Sequence, residues 1–294
     1  MSDEYGAPQY GGQFPFPHTL FGILCTVGVM FLYQFGYGFL SYSLSPQGNS
    51  MLTLLAHIGA QIFFFLAPAL AVCGLSPLGM NGLLRLVSPR ISLVHIIVAI
   101  ALPVVVQLFA SSSVTILYTA LPVALAEPLR EYSDTLRETM EKLFSAGGVL
   151  GVTLAITGGA LLPAVAEEIL FRGVMQRSLE ERLGAPVAIT HTAMLFAVIH
   201  LNPESLLPLI MFGVGFGILA YTSRSLLPAM LCHFANNLLA VLSGFSPSLR
   251  STDEWMSSSL PPLVAVPLCA ASLFVFVMLM RWLLRHSRGI PVPS

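Results

Sequence analysis

The chain has 294 residues, of which 55% are hydrophobic and 9% are charged, whereas a soluble domain carries about 25% charged residues. Several runs of about 20 apolar residues predict membrane-spanning helices, and no short alternating segments of the kind found in a β-barrel are visible. A net charge of −1 gives no indication of a nucleic-acid partner. The four cysteines form no Cys-x-x-Cys pair, which predicts buried thiols outside any disulfide. The expected fold class is all-α, a polytopic integral membrane protein with about eight transmembrane helices.

Apolar runs, charge and turn residues divide the sequence into five parts. Runs of about 20 apolar residues predict single spans, and clusters of proline, glycine and asparagine between them predict turns. The predicted parts are a disordered cytoplasmic tail at 1–19, N-terminal transmembrane helices at 20–125, an amphipathic surface helix at 126–146, a helical core at 147–245, and a loop with a C-terminal transmembrane helix at 246–294.

The region before the helical core contains two features that simple spans do not explain. The run 91–125 is too long for one span, so Pro103 and Pro122 are expected to break it. In the charged stretch 127–142, apolar residues recur at helical spacing while acids and bases occupy the other face. This pattern predicts a helix that lies on the membrane surface.

Two adjacent carboxylates, Glu167 and Glu168, lie inside the apolar run 149–174, where ionisable groups are rare and indicate a functional site. Glu168 and Arg172 are four residues apart on one helical face, acid first, which favours an ion pair. Glu167 points about 100° away from Glu168. The spacing therefore predicts that Arg172 neutralises Glu168 and leaves Glu167 facing a cavity. In the alternative interpretation both acids only hold helices together.

The next predicted helix, 187–200, carries a candidate histidine at its end. Phe196 and His200 are four residues apart and therefore share one face. His191 is nine residues before His200, about half a turn out of phase, so on a straight helix its side chain points the other way. We therefore expect His200 to belong to a polar site and His191 to lie outside it.

A third helix, predicted at 227–242, places His233 and Asn237 on one face, four residues apart. At a rise of 1.5 Å per residue, Glu167, His200 and His233 lie about 14–21 Å from the charged or proline-marked ends of their helices. The three helices can therefore bring these side chains to similar depths, and a common site is expected.

The residue types in this set suit hydrolysis of a peptide bond, which needs a water, a base and donors for the oxyanion. A carboxylate shielded from bulk water can act as the base, Asn offers an uncharged donor, and His donates a hydrogen bond or transfers a proton. Glu167, His200 and His233 are also candidate ligands for zinc with a bound water as nucleophile. The chain has no His-Glu-x-x-His segment, so the usual zinc-protease signature does not support this alternative.

The polar residues form three motifs that occur in order on separate predicted helices. They are Glu167-Glu168-Ile-Leu-Phe-Arg172, Phe196-Ala-Val-Ile-His200 and His233-Phe-Ala-Asn-Asn237. In these motifs the chain resembles the CPBP family, the CaaX proteases and bacteriocin-processing enzymes that are also called the Abi family. The resemblance covers about residues 149–242, whereas the other parts match only in being membrane helices or surface segments.

The resemblance implies an α-helical intramembrane endopeptidase. In such enzymes the first Glu and the first motif His, here Glu167 and His200, activate water. The second His and the Asn, here His233 and Asn237, stabilise the oxyanion. The remaining motif residues are expected to support them: Glu168, Arg172 and Phe196. Many members carry the name metalloprotease although structurally studied relatives resemble metal-independent glutamate proteases, so we favour no cofactor and keep zinc as the alternative.

The resemblance also limits the partners and the competing functions. The expected partners are membrane lipids and a peptide or lipid-modified protein, which is prenylated or otherwise hydrophobic. An ion- or proton-coupled transporter is a second class, because intramembrane Glu, His and Arg also mark ion pathways. The sequence shows neither the repeats nor the paired broken helices of transporters. A third class is a non-catalytic immunity or scaffold protein, against which the complete set of motifs argues.

The arginines predict how the protein is oriented in the membrane. With eight spans and the N-terminus inside, the loops expected in the cytoplasm carry most of the arginines, in line with the positive-inside rule. They contain Arg85, Arg90, Arg177, Arg182, Arg224, Arg281, Arg285 and Arg288. We therefore expect a bacterial-type inner or plasma membrane protein with both termini cytoplasmic. Reporter fusions at Ser2 and Ser294 measure this, and a periplasmic signal from either end would contradict it.

Overall fold

The computed structural model describes residues 19–45, 48–75, 79–86, 88, 90–144, 147–246 and 260–288. Within these ranges the regular structure is helical and contains no strand, so the predicted all-α fold is confirmed. The predicted N-terminal tail lies outside the described residues up to position 18, as does most of the predicted loop after 246.

The helices follow the apolar runs of the sequence. Those in the described ranges are α1 Thr19–Leu44, α2 Ser50–Leu75, α3 Gly79–Leu84, α4 Leu93–Ala120, α5 Val123–Leu143, α6 from Gly148–Ile156 to Arg177–Leu183, α7 Ala185–Ile199, α8 Leu206–Ser223, α9 Leu227–Phe245 and α10 Pro262–Arg288. Wider π-helical segments interrupt two of them: Gln61–Leu66 in α2, and Thr157–Leu161 and Ile169–Gln176 in α6.

Seven helices in the described ranges are long and apolar enough to cross a membrane, namely α1, α2, α4, α6, α8, α9 and α10. The apolar helix α7 has only 15 residues, about 22 Å, which is shorter than a hydrocarbon core of about 30 Å. These eight apolar helices agree with the predicted number of about eight. Because α7 is shorter than the hydrocarbon core, its C-terminal residues and the adjacent His200 can lie within the hydrocarbon core.

The prediction about proline breaks is correct at one position and wrong at the other. Pro103 lies inside the continuous helix α4. A proline is tolerated within a membrane span because neighbouring helices and side chains bond to the backbone groups that the proline leaves free. The chain does break at Leu121 and Pro122, and the amphipathic helix α5 begins at Val123. This helix starts three residues before the predicted boundary at 126.

Helix α6 is central in the bundle, and its segments pack against α1, α2, α7, α8 and α9, while α10 packs along α4 on another side. The largest core cluster includes Leu170 and Phe171 from α6, Phe196 from α7 and Phe216 from α8. The residues that carry candidate chemistry on α6 are therefore surrounded by other helices, which removes them from bulk water.

A glycine on α8 allows this close packing. At Gly213 an added Cβ would lie 2.7 Å from both the Cα and the Cβ of Ala193 on α7. Helices that approach so closely need small residues at their contact. The approach also brings the Gly213 carbonyl oxygen within reach of α6, because it accepts a hydrogen bond from Arg172 at 3.1 Å.

We expect Gly213→Ala to destabilise the protein by about 1–3 kcal/mol, the usual cost of overpacking a tight contact. The measurement is the melting temperature in detergent. Gly38→Ala is the matched control, because a Cβ at Gly38 meets no atom within 4 Å and alanine favours a helix over glycine. Equal melting temperatures for the two variants would contradict the close contact between α7 and α8.

Candidate active site

The two adjacent carboxylates lie at the point where α6 changes from an α-helix to a π-helix. Glu167 and Glu168 end the α-helical segment Leu162–Glu168, and the π segment Ile169–Gln176 follows at once. Such π segments are often found at functional sites. All eight residues of this π segment are buried. The predicted continuous helix is therefore present, but its turns are wider where the site is formed.

Glu168 is the centre of a buried ionic network. Its Oε1 lies 3.0 Å from Nη1 of Arg172, and both side chains are fully buried. The same Oε1 accepts a hydrogen bond from Nδ1 of His233 at 2.9 Å. Arg172 extends the network through its bond to the Gly213 carbonyl. The structure thus forms the predicted Glu168–Arg172 pair and adds a contact with His233 that the sequence did not predict.

The hydrogen bonds of the two histidine rings fix which nitrogen faces Glu167. Nδ1 of His200 lies 2.6 Å from the backbone carbonyl of Phe196, and a carbonyl only accepts, so this nitrogen carries a proton. Nδ1 of His233 donates to the carboxylate of Glu168 in the same way. Both rings therefore leave Nε2 for other partners, and each Nε2 lies 3.9 Å from Oε2 of Glu167.

Glu167 is the carboxylate that has no ion pair along its own helix. Its side chain is 13% exposed, and Oε2 is a buried atom without a hydrogen-bond partner among the described residues. A separation of 3.9 Å is too long for a hydrogen bond, yet shorter than two hydrogen bonds of about 2.8 Å placed end to end. A polar separation of this size is one that a single bridging water can span.

Aromatic rings enclose the arginine and the histidines. The Arg172 guanidinium carbon lies 4.7 Å from the ring centre of Phe196, 5.1 Å from that of Phe216 and 5.8 Å from that of Phe171, within the range of cation–π attraction. Phe216 also stacks on His233, with ring centres 5.0 Å apart. The sequence reasoning missed Phe216, because an aromatic residue on an apolar helix carries no signal of its own.

Asn237 and His191 occupy different surroundings from the central residues. Asn237 lies one turn beyond His233 and is half-buried, and its Oδ1 accepts a hydrogen bond from Asn236 at 3.1 Å. Among the described residues no hydrogen bond joins Asn237 to Glu167 or to either histidine. His191 is exposed and contacts the carbonyl of Val187 on its own helix, which is consistent with the helical phase that directs it away from His200.

The amphipathic helix α5 contacts the loop that follows His200. The hydroxyl of Tyr132 donates to the carbonyl of Leu201 at 2.8 Å, and Leu201 has a φ of 50°, which is unusual for a residue other than glycine. Tyr118 on α4 donates to Glu204 in the same loop at 3.0 Å. The predicted amphipathic helix is therefore attached to the chain directly beside a candidate catalytic histidine.

The zinc alternative meets one condition of a metal site and fails another. Metal-binding histidines usually donate their second ring nitrogen to a carbonyl or carboxylate, as His200 and His233 do here. Two tetrahedral zinc ligands, each about 2.0–2.2 Å from the metal, lie about 3.4 Å apart, whereas the Glu167–His separations are 3.9 Å. In the described part of the chain no group of three His, Cys, Asp or Glu residues is arranged to hold a metal ion. The separations in this arrangement are therefore longer than those between tetrahedral zinc ligands.

The fold and the site together define a class, a polytopic α-helical membrane protein with a buried Glu, His and His cluster. Residues 149–239 match the model of one family, described as type II CAAX prenyl endopeptidase Rce1-like. This segment contains all three motifs, and the match supports the predicted resemblance to the CPBP family. No curated protein and no solved structure matches the chain.

Removal of the buried arginine should destabilise the protein. Arg172→Ala leaves Glu168 buried without its charged partner, which costs about 3–5 kcal/mol, so we expect a clear fall of the melting temperature in detergent. Arg137→Ala is the control, because the Arg137–Asp134 pair is about half exposed, at 50% and 51%, and such pairs contribute at most about 1 kcal/mol. A melting temperature of Arg172→Ala equal to that of the control would contradict the structural role of the pair.

Proposed function

We propose that the protein is an intramembrane endopeptidase that hydrolyses a peptide bond by means of a water molecule activated at Glu167. The observation that carries this proposal is the convergence of two histidine Nε2 atoms on one oxygen of Glu167, each at 3.9 Å. The Rce1-like match over residues 149–239 supports the same reaction class.

In the proposed first step, Glu167 takes a proton from the water while the water oxygen attacks the peptide carbonyl carbon. His200 assists, because its Nδ1 proton is held by the Phe196 carbonyl and its Nε2 can accept a hydrogen bond from the water. The carbonyl oxygen becomes an oxyanion. When the C–N bond breaks, the proton held by Glu167 passes to the leaving amine, as general acid–base catalysis requires.

His233 is the proposed donor to the oxyanion. The carboxylate of Glu168 accepts the Nδ1–H of this ring at 2.9 Å, and when Nε2 also carries a proton it donates a hydrogen bond. Arg172 holds Glu168 in place from the other side. We propose Asn237 as a second, uncharged donor, since it lies one helical turn from His233. Donors placed where negative charge develops stabilise the transition state of acyl transfer.

The proposed substrate is a peptide segment or lipid-modified protein associated with the membrane. The site belongs to helices that are long and apolar enough to span a bilayer, and the matched family consists of endopeptidases named for prenylated CAAX proteins. We propose a hydrophobic or prenylated substrate on these grounds, with membrane lipids as the other partners. The proposed location is an inner or plasma membrane with both termini cytoplasmic, which rests on the positions of the arginines.

We propose that the reaction needs no metal cofactor. The distances of 3.9 Å between Glu167 and the two histidines suit a bridging water better than zinc ligation. Glu167 then acts as a base and not as a ligand. The metal-free proposal predicts that turnover survives removal of metal, whereas the zinc alternative predicts that turnover is lost, so one assay distinguishes the two.

Glu167→Gln should lower turnover by roughly 10²–10⁴-fold, the usual contribution of a general base. The amide keeps the shape of the side chain, and Oε2 of Glu167 has no hydrogen-bond partner among the described residues, so the melting temperature should stay unchanged. The assay compares membrane peptides that accumulate in a Glu167→Gln strain and disappear with the native protein, followed by cleavage of those peptides by purified protein.

The same purified protein can be used to test whether the reaction requires a metal cofactor. Extensive chelation should leave turnover unchanged if Glu167 is a base without a metal. Activity that is lost on chelation and restored by zinc, with stoichiometric zinc in the protein, would replace the proposal with a metal mechanism. Full activity of Glu167→Gln would remove Glu167 from the role of base.

The two histidines of α7 and its C-terminal end provide a matched pair of variants. His200→Ala should lower turnover strongly, because Nε2 of His200 faces Glu167. His191→Ala should leave turnover within about 2-fold, since an exposed side chain away from special contacts contributes little. Cleavage is measured at equal expression levels. Equal losses in both variants would contradict the assignment of His200.

A further inference from the structure

The two histidines of the proposed site are held in different ways. His233 is buried, and its ring bonds to Glu168 on another helix and stacks on Phe216. The His200 side chain is 31% exposed. Within the described residues, the ring hydrogen bond of His200 goes only to the carbonyl of Phe196 on its own helix. The position of the His200 ring therefore depends on the backbone at the end of α7.

The backbone leaves α7 directly after His200, in a tightened last turn. The amide of His200 donates to the carbonyl of Ala197 at 3.3 Å, and the amide of Leu201 donates to that of Val198 at 3.1 Å. His200 still has helical dihedral angles, with φ −72° and ψ −12°, whereas Leu201 has a φ of 50°. Helix ends fray, and a residue other than glycine keeps such a positive φ only where its surroundings hold it. The end of α7 therefore needs a contact that holds Leu201.

The amphipathic helix α5 supplies this contact. The hydroxyl of Tyr132 donates to the carbonyl of Leu201 at 2.8 Å, a normal length for a hydrogen bond from a hydroxyl. The Leu201 side chain is 67% exposed, so its packing contributes little to the backbone conformation. Tyr118 bonds to the same loop three residues further along, at Glu204. Among the hydrogen bonds of the described residues, the Tyr132 bond is the one nearest to His200 that joins this loop to another helix.

We propose that Tyr132 is a positioning residue of the hydrolytic site: its hydroxyl holds the Leu201 carbonyl, which keeps the last turn of α7 intact and Nε2 of His200 directed at Glu167. The proposal rests on the function proposed above and assigns it a residue of α5, outside the segment 149–239 that matches the family. Tyr132 acts through the backbone and exchanges no proton. Its effect on the rate can nevertheless be large, because small errors of placement at a reacting centre cost roughly 10²-fold.

Tyr132→Phe tests the hydroxyl against a control on the same helix. The hydroxyl of Thr135 donates to the carbonyl of Glu131 within α5 at 2.8 Å, so Thr135→Val also removes one hydroxyl from α5 but none that bonds to the loop. We expect Tyr132→Phe to lower kcat by roughly 10–100-fold with KM close to that of the native protein, and Thr135→Val to change neither value. Turnover is measured well below the melting temperature of each variant. Equal kcat values for the two variants would overturn the proposal.

A change at Leu201 shows whether the effect passes through this backbone. Asparagine adopts a positive φ more readily than leucine does, so the conformation of Leu201→Asn should depend less on the Tyr132 hydroxyl. The compared quantity is the ratio of kcat with and without this hydroxyl. Because residues that act through one element have non-additive effects, Tyr132→Phe should lower kcat by less than about 3-fold in a Leu201→Asn background. An undiminished loss there would show that Tyr132 acts by another route, which would overturn the proposal.

A spectroscopic measurement separates this inference from the proposed function. The chain has seven histidines, and the ring-nitrogen NMR signal that disappears in His200→Ala belongs to His200, without any substrate. This signal should shift in Tyr132→Phe, because the bond from Nδ1 to the Phe196 carbonyl loosens with the last turn of α7, and it should stay in place in Thr135→Val. An unmoved signal in Tyr132→Phe overturns the inference even if peptides are cleaved. A native protein that cleaves no peptide overturns the proposed function, whereas a shifted signal would still support the link between Tyr132 and His200.

Discussion

The structure of the site depends on one buried ion pair, between Glu168 and Arg172. In apolar surroundings a single charge is very unfavourable, so both groups require partners with good geometry. Arg172 meets this need with the carbonyl of Gly213 on α8, and Glu168 meets it with His233 on α9. One pair on α6 thereby determines where two other helices lie. The position of His233, and with it one side of the candidate active site, follows from charge neutralisation.

Adjacent carboxylates with different partners have different chemistry. Glu168 is fully buried and accepts from two side chains through one oxygen, which fixes it as a charged support. Glu167 points in another direction on the helix and keeps one buried oxygen without a partner, facing two histidine nitrogens. Neighbouring residues of a helix differ by about 100° in direction, so the helix itself places the two carboxylates in different surroundings.

The local parts of this arrangement could be predicted from the sequence. Spacing along one helix predicted the Glu168–Arg172 pair and the exclusion of His191, because positions four residues apart share a face and positions half a turn apart do not. Apolar runs predicted the all-α membrane fold, since a bilayer accepts only helices or closed barrels. The break at Pro122 was predicted correctly. The break predicted at Pro103 is absent, because a membrane-spanning helix tolerates a proline that would end many helices in water.

The contacts between helices were decided only by the tertiary structure. The bond from His233 to Glu168 and the stacking of Phe216 on His233 join residues that are far apart in the chain. Such contacts depend on how each helix is rotated and how closely it approaches its neighbours. The hydrophobic periodicity of a single helix gives no information on its rotation or on its distance from its neighbours. The sequence by itself therefore determined the all-α membrane fold and the helix faces on which the candidate residues lie. The packing of the helices decided which of these residues meet, because the distance between helices depends on side-chain packing and charge neutralisation across the whole bundle.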